Sequence, residues 1–424
     1  MKMIGVLSGG QDRLRIKSLD NLVKFTRYNP NKSSLFIDCL ELAEDFKLDR
    51  DTVIYPKDTV LSSEGLEKLL LLRKSNRRIR FEFQIKLSEI LLGRLRSEIK
   101  GHFDALIEKR KAVEPYKRVF KKLEKTLPPV LEGILGDDKI TVTLYNLLLL
   151  GESSKNRRAV FFFDHAFETA LFSLAIALSD GYSNIIRQNK DRLVEIAKTG
   201  LFYNYNALAE IERILELPEN GRLTAYWEAI RKGLHSPDRL EMDAKVVDSI
   251  RHLCEYSMDK FEFLHSKRWP AVMANIVLVA IVFLQKERGL FGTPQPLKLV
   301  ADQLSGRAME GAYSGLAVQC LTNELNLKYL FDFYVMMKDL SRECPYNSAV
   351  PYPLTGFKSP TLFVCEKTIR RCPYLEGSRA TVNLVKDLGD LQRGKYYRCN
   401  LLTPQLKTFY AKHYEKIKNS DIGT

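Results

Sequence analysis

The sequence predicts a mainly α protein: a central all-helical domain, a small α+β module before it and an irregular α+β extension after it. Three observations lead there. Apolar residues recur at helical spacing from Leu87 through almost the whole of 131–330. Before them, Ile79, Phe81, Phe83 and Ile85 alternate with Arg78, Arg80, Glu82, Gln84 and Lys86, the period-two pattern of a half-buried strand. After them, strand-like segments at Leu362–Cys365 and Lys395–Cys399 replace the helical period. The expected domains are therefore an N-terminal module over 1–86, a helical linker over 87–130, a helical domain over 131–330 and a Cys-containing basic extension over 331–424.

Taken in order, Val53-Ile54-Tyr55 reads as a short strand and Pro56-Lys57-Asp58 as a turn. Ser62 or Ser63 then caps a helix over Glu64–Leu72. Ile90, Leu91, Leu95, Ile99, Phe103 and Leu106 define the next helix, with Pro115 expected to interrupt it and Pro128-Pro129 to end it. Trp269-Pro270 opens a helix over the apolar run Ala271–Leu284, proline being tolerated in a first turn. Near the end, residues 403–417 read as a helix with Thr403 as N-cap, Pro404 at the first position and Leu406, Phe409, Tyr410, His413 and Ile417 on one face.

The 424 residues, 45% hydrophobic and 10% aromatic, suffice for two to three domains with sizeable cores. The run Ala271–Leu284 is 14 residues long, too short to span about 30 Å of hydrocarbon as a helix, so it reads as a buried core helix rather than a membrane span. The N-terminus lacks a long hydrophobic segment, and a cytoplasmic location is expected. Net charge is +10 over 1–130, −2 over 131–330 and +6 over 331–424, from 28, 23 and 15 cations against 18, 25 and 9 acids. Basic flanks favour an acidic protein, nucleic acid or an anionic surface as partner. A protein partner is the leading expectation.

The stretch Asp164–Asn206 carries a pattern of its own. It begins DHAFETALFSLAIAL, with His165 near the start of an amphipathic run, and ends IAKTGLFYNYN. This frame resembles the HD-GYP family, the bacterial cyclic di-GMP phosphodiesterases, where a histidine, an apolar helix and a Gly-Leu-Leu-His-Asp-Ile-Gly-like turn follow in that order. Residues 41–86 are similar to the segment that often precedes such domains. The resemblance implies a helical phosphohydrolase fold with a binuclear iron or manganese centre, and it puts Tyr203 and Asn204 where the His-Asp pair belongs. Leu253-Cys254-Glu255 falls on the family's His-His-Glu, with His252 one place early, and Ile281 on its aspartate. A further family histidine falls near Gly233, two residues from His235. Only His165 of these vestigial positions keeps a family ligand.

The substitutions bear on chemistry directly. A binuclear site needs imidazoles and an ionised carboxylate to offset the metal charge. Asn204 offers a neutral amide, Tyr203 a phenol with an ordinary pKa near 10, and Ile281 nothing. The leading expectation is thus a non-catalytic HD-GYP-like signalling or scaffold protein without a resident cofactor, with a cyclic dinucleotide as one possible ligand. Two alternatives stand beside it. One is a metal-dependent phosphodiesterase with a rearranged site drawn from His165, His252, Glu255 and His235; the other is a nucleic-acid or anionic-surface binder. For the latter, Arg73, Arg77, Arg78 and Arg80 form a candidate anion clasp, since arginine forks match phosphate oxygens. Of seven cysteines, Cys344, Cys365, Cys372 and Cys399 crowd the extension as a candidate zinc or iron–sulfur set, although none of the pairs has C-x2-C spacing. Cys39, Cys254 and Cys320 read as buried small hydrophobes.

Overall fold

A computed structural model of the chain describes residues 5–8, 13–26, 37–48, 52–75, 81–154, 156–186, 189–235, 242–332, 334–335, 349–351, 363–365, 381–382 and 396–398. Fifteen α-helices lie among them, so the mainly α class is observed. The chain divides into two compact units, Met1–Leu178 with Tyr182–Val277, and Ser179–Gly181 with Leu278–Thr424.

The first unit opens with an antiparallel sheet in the order β1 (Gly5–Ser8), β2 (Arg13–Ile16) and β5 (Phe83–Lys86). Phe81, Phe83 and Ile85 are buried, as the alternation requires. Strands β3 (Phe46–Lys47) and β4 (Val53–Tyr55) form a separate hairpin, and Asp58 adopts φ 67° in the expected turn. Helix α2 (Ser63–Ser75) is capped by Ser62, whose hydroxyl accepts from Gly65 N at 3.0 Å. Helix α1 (Leu19–Thr26) joins this module to the helical body: Tyr145 Oη, from α5 (Asp138–Ser153), donates to the Phe25 carbonyl at 2.8 Å in the core.

The segment expected to be a linker is instead part of that body. Helix α3 (Glu89–Lys111), capped by Ser88, buries Leu91, Leu92, Leu95, Ile99, Phe103, Leu106 and Ile107 and packs on α4 (Tyr116–Leu135) and α5. Pro115 does separate the two helices. Pro128 and Pro129, however, lie inside α4 and do not end it. Neither proline can donate to the carbonyls of Glu124 and Lys125, but burial of Leu127, Val130, Leu131, Ile134 and Leu135 outweighs those lost bonds. The expected boundary at 130/131 consequently falls within α4.

Helices α6 (Arg157–Ala177), α7 (Ser183–Ile186), α8 (Lys190–Phe202), α9 (Tyr205–Ala209), α10 (Ile211–Glu216), α11 (Glu219–Leu234) and α12 (Ala244–Tyr256) complete the first unit. Helix α13 (Trp269–Arg288) runs through the division at Val277 and Leu278, so 131–330 is not one compact domain. By length and composition α6 and α13 are apolar enough to cross a membrane, yet 83% and 72% of their apolar windows are buried within the fold, as core helices require. Gly289, at φ +61°, ends α13 where a Cβ would lie 2.3 Å from Pro294 N. In the second unit α14 (Leu297–Met309) and α15 (Gly315–Glu324) pack together, and an antiparallel sheet follows in the order β6 (Ala349–Pro351), β7 (Phe363–Cys365), β9 (Tyr396–Arg398), β8 (Thr381–Val382). The expected helix over 403–417 lies outside the described residues.

Candidate functional site

The stretch singled out in the sequence folds as the α6/α8 pair. Asn156 caps α6 and Asn189 caps α8 through side-chain bonds to Arg158 N and Arg192 N, at 2.9 and 3.2 Å. The helices meet at Gly200, where an added Cβ would lie 2.8 Å from Ala170 Cα and 2.9 Å from Ala170 N. Only glycine permits this approach, and it sets the distance between what each helix carries. His165 of α6 meets Tyr203 at the end of α8 edge-on, with ring centroids 6.1 Å apart at 83°. Tyr203 Oη lies 3.1 Å from Tyr226 Oη of α11. His165, Tyr203, Asn204 and Tyr226 are all wholly or almost wholly buried.

Burial dominates the electrostatics of this cluster. It pushes the Tyr203 phenol well above its ordinary pKa, with the neighbouring Tyr226 adding to the rise and the Thr169 hydroxyl opposing it. Tyr226 is likewise raised by burial, against hydrogen bonds from Tyr203 and Asn204. Burial thus favours the neutral form of both phenols. Asn204 begins α9 without a side-chain cap, close enough to Tyr226 to ease its ionisation, but among the described residues neither amide atom makes a hydrogen bond of normal geometry. Its neutral amide cannot offset metal charge.

The remaining predicted ligands do not converge with His165. Asp164 and His165 point to different neighbours, as adjacent positions on a helix must: Asp164 Oδ1 sits 3.6 Å from His102 Nε2 of α3. His252 Nδ1 lies 2.7 Å from Glu255 Oε2 along half-exposed α12, and its ring stacks on Phe263 at 5.3 Å. His235 is exposed at the end of α11. Leu253 is buried, and so is Cys254, whose thiol burial pushes up to about 12. Ile281 is buried in the part of α13 that belongs to the second unit. Among the described residues there is no group of three or more His, Cys, Asp or Glu arranged to hold a metal ion, so the rearranged set of His165, His252, Glu255 and His235 is not assembled.

Of the C-terminal cysteines, only the backbone of Cys365 is described, paired with Ala349 and Tyr397 in the sheet; Cys344, Cys372 and Cys399 lie outside the described residues. The same holds for Arg77, Arg78 and Arg80. Arg73 does not stand ready for phosphate: it forms a two-pronged pair with Asp20 of α1, Nη2 to Oδ2 at 2.8 Å. Lys86, on the strand, is held by Glu41 and by Asp58.

Three features escaped the sequence reading. Arg110 of α3 donates from Nε and Nη2 to the two oxygens of Glu168, both at 2.9 Å, with Glu168 fully buried and the guanidinium 5.0 Å from the Tyr116 ring. The signal available was a lone carboxylate inside the apolar run FETALF. Second, a groove of about 850 Å³ runs along α4, lined by Lys117, Arg118, Lys121, Lys122 and Lys125 with Leu178 and Leu193; the spacing of cations on the outer face of an amphipathic helix could have revealed it. Third, a pocket of about 560 Å³ in the second unit gathers Lys286, Asp302, Arg307 and Tyr334 from sequence-distant segments. No protein-family model, curated protein or solved structure matches this chain.

Proposed function

We propose that the chain is a non-catalytic binding protein, HD-GYP-like in its helical frame, that acts in a cytoplasmic signalling or scaffolding role through a protein or ligand partner. The observation that supports this most is the buried Tyr203–Tyr226 hydroxyl pair at 3.1 Å beside His165. Neutral groups packed against each other take the place that imidazoles and a carboxylate need if two metals are to be held. The experiment is metal analysis after purification with added Fe(II) and Mn(II), together with an assay of cyclic di-GMP turnover. The expected outcome is no stoichiometric metal and no hydrolysis; two metals per chain with turnover overturn the proposal.

A second reading, that the partner is anionic, draws on the outer face of α4. Five cations line one groove there, while Glu124 in the same groove is paired with Lys111. That face lies within the strongly basic first 130 residues. Under this reading binding weakens as salt is raised, because the interaction screens within about 10 Å at 0.1 M ionic strength. Affinity that is indifferent to salt sinks it.

A further inference from the structure

We infer that the groove along α4 is a binding site for a small polyphosphorylated molecule, an organic or inorganic chain of two or more phosphates. The inference rests on the anionic-partner reading and narrows it to a ligand class. The inner face of α4 buries Tyr116, Val119, Phe120 and Leu123, which fixes the helix to the body and turns Lys117, Arg118, Lys121, Lys122 and Lys125 outward. On a helix these form two rows, 117-121-125 and 118-122, with one cation per turn about every 6 Å.

Like charges four residues apart destabilise a helix. Here Lys117, Arg118, Lys121 and Lys125 have no salt bridge among the described residues to relieve them. Glu124 is engaged chiefly by Lys111, which holds its carboxyl below the usual range, and it offsets Lys121 to a lesser degree. Glu114 is the one other acid lining the groove among the described residues. A polyanion seated across both rows removes the repulsion and gains several charge-assisted hydrogen bonds at once.

Shape selects a small ligand over a duplex or a bilayer. About 850 Å³ of concave space is within the usual range of small-molecule sites, about 300–1,000 Å³. The cation rows extend only about 12 Å, from Lys117 to Lys125. Leu178, at the end of α6, and Leu193 of α8 supply an apolar wall suited to the non-phosphate part of an organic ligand. Among the described residues no aromatic side chain lines the groove, so these offer no platform for stacking successive bases of a single strand.

The test is titration calorimetry of the full chain with inorganic tripolyphosphate, with a nucleoside triphosphate and with a 20-base-pair DNA duplex. The variants are K117Q/K121Q/K125Q and a control, K47Q/K57Q/K232Q, that changes net charge equally at exposed positions elsewhere. Circular dichroism and thermal midpoints establish that both variants fold. We expect tripolyphosphate and the triphosphate to compete for one site, the α4 variant to lose about tenfold or more in affinity for both, and the control to bind like the parent. Affinity unchanged in the α4 variant, or lost equally in the control, overturns the site. Duplex binding that depends on the α4 lysines, without tripolyphosphate binding, overturns the small-ligand class and leaves the anionic-partner reading standing. Absence of binding to all three probes overturns both.

Discussion

Helix α6 presents two buried polar faces solved in opposite ways. Toward α3 it offers Glu168, matched by both prongs of Arg110. Toward α8 and α11 it offers His165 and Thr169, met by phenols that burial keeps neutral. A charge can remain in a protein interior only where its counter-charge arrives in good geometry. The α3 face supplies that counter-charge. The α8 face supplies hydroxyls and an amide instead, and the difference teaches that one helix can balance buried polarity by charge pairing on one side and by neutral groups on the other.

Breaking the charged face has the largest expected effect. Glu168→Ala leaves the Arg110 guanidinium buried without its carboxylate and is expected to lower unfolding stability by about 3–5 kcal/mol, read by urea denaturation followed through tryptophan fluorescence. The double change Arg110→Met/Glu168→Leu should recover most of that loss. If it stays as unstable as the single variant, the pair does more than neutralise itself. On the other face, Gly200→Val drives side-chain carbons into the backbone of Ala170 and is expected to cost about 1–3 kcal/mol. A parallel loss of the near-ultraviolet circular dichroism signal would tie that cost to the Tyr203 cluster; an unchanged thermal midpoint would mean that the helices part freely.

How much of this was legible in the sequence varies with the range of the interaction. The β5 alternation, the Ser62 cap, the Pro115 break and the buried run of α13 are local, and period and turn chemistry identify them. The continuation of α4 through Pro128-Pro129 was not legible, because tertiary burial of Leu131 and Ile134 decides it against local preference. Nor was the Arg110–Glu168 pair, whose members are 58 positions apart. At the candidate centre the separation of Asp164 from His165 follows from helix geometry alone, since adjacent positions point about 100° apart. The Tyr203–Tyr226 contact needed the relative placement of α8 and α11, on which no periodicity bears.

Smaller effects sharpen the contrast. Tyr226→Phe leaves the Tyr203 hydroxyl without its partner at 3.1 Å and is expected to cost about 0.5–1.5 kcal/mol near neutral pH. Its pH dependence has a definite sign. A phenol whose folded pKa is raised contributes stability that is complete below its unfolded value near 10 and is lost as pH rises through the folded value. The parent should therefore lose stability faster than Tyr226→Phe as pH rises above 10, and equal slopes in that range would refute a dry cluster.

The smallest effect comes from a half-buried carboxyl that has no salt bridge among the described residues. Asp302 in the second unit is raised above the ordinary aspartate pKa by burial, with only a hydrogen bond from the Tyr334 hydroxyl opposing the shift. In contrast with Glu168, its ionised form has no guanidinium fork. A raised folded pKa means that its favourable protonated state is fully present below the unfolded value near 3.9 and is lost as pH rises through the folded one, so at neutral pH the group costs stability. Asp302→Asn keeps an oxygen for Tyr334 and removes the ionisation. The thermal midpoint is expected to rise slightly at pH 7 and to show no gain at pH 3. A fall at pH 7 would mean that the negative charge is wanted where it is, by Lys286 or Arg307 of the same pocket, and that this pocket, like the Arg110 face of α6, is organised around an ion pair.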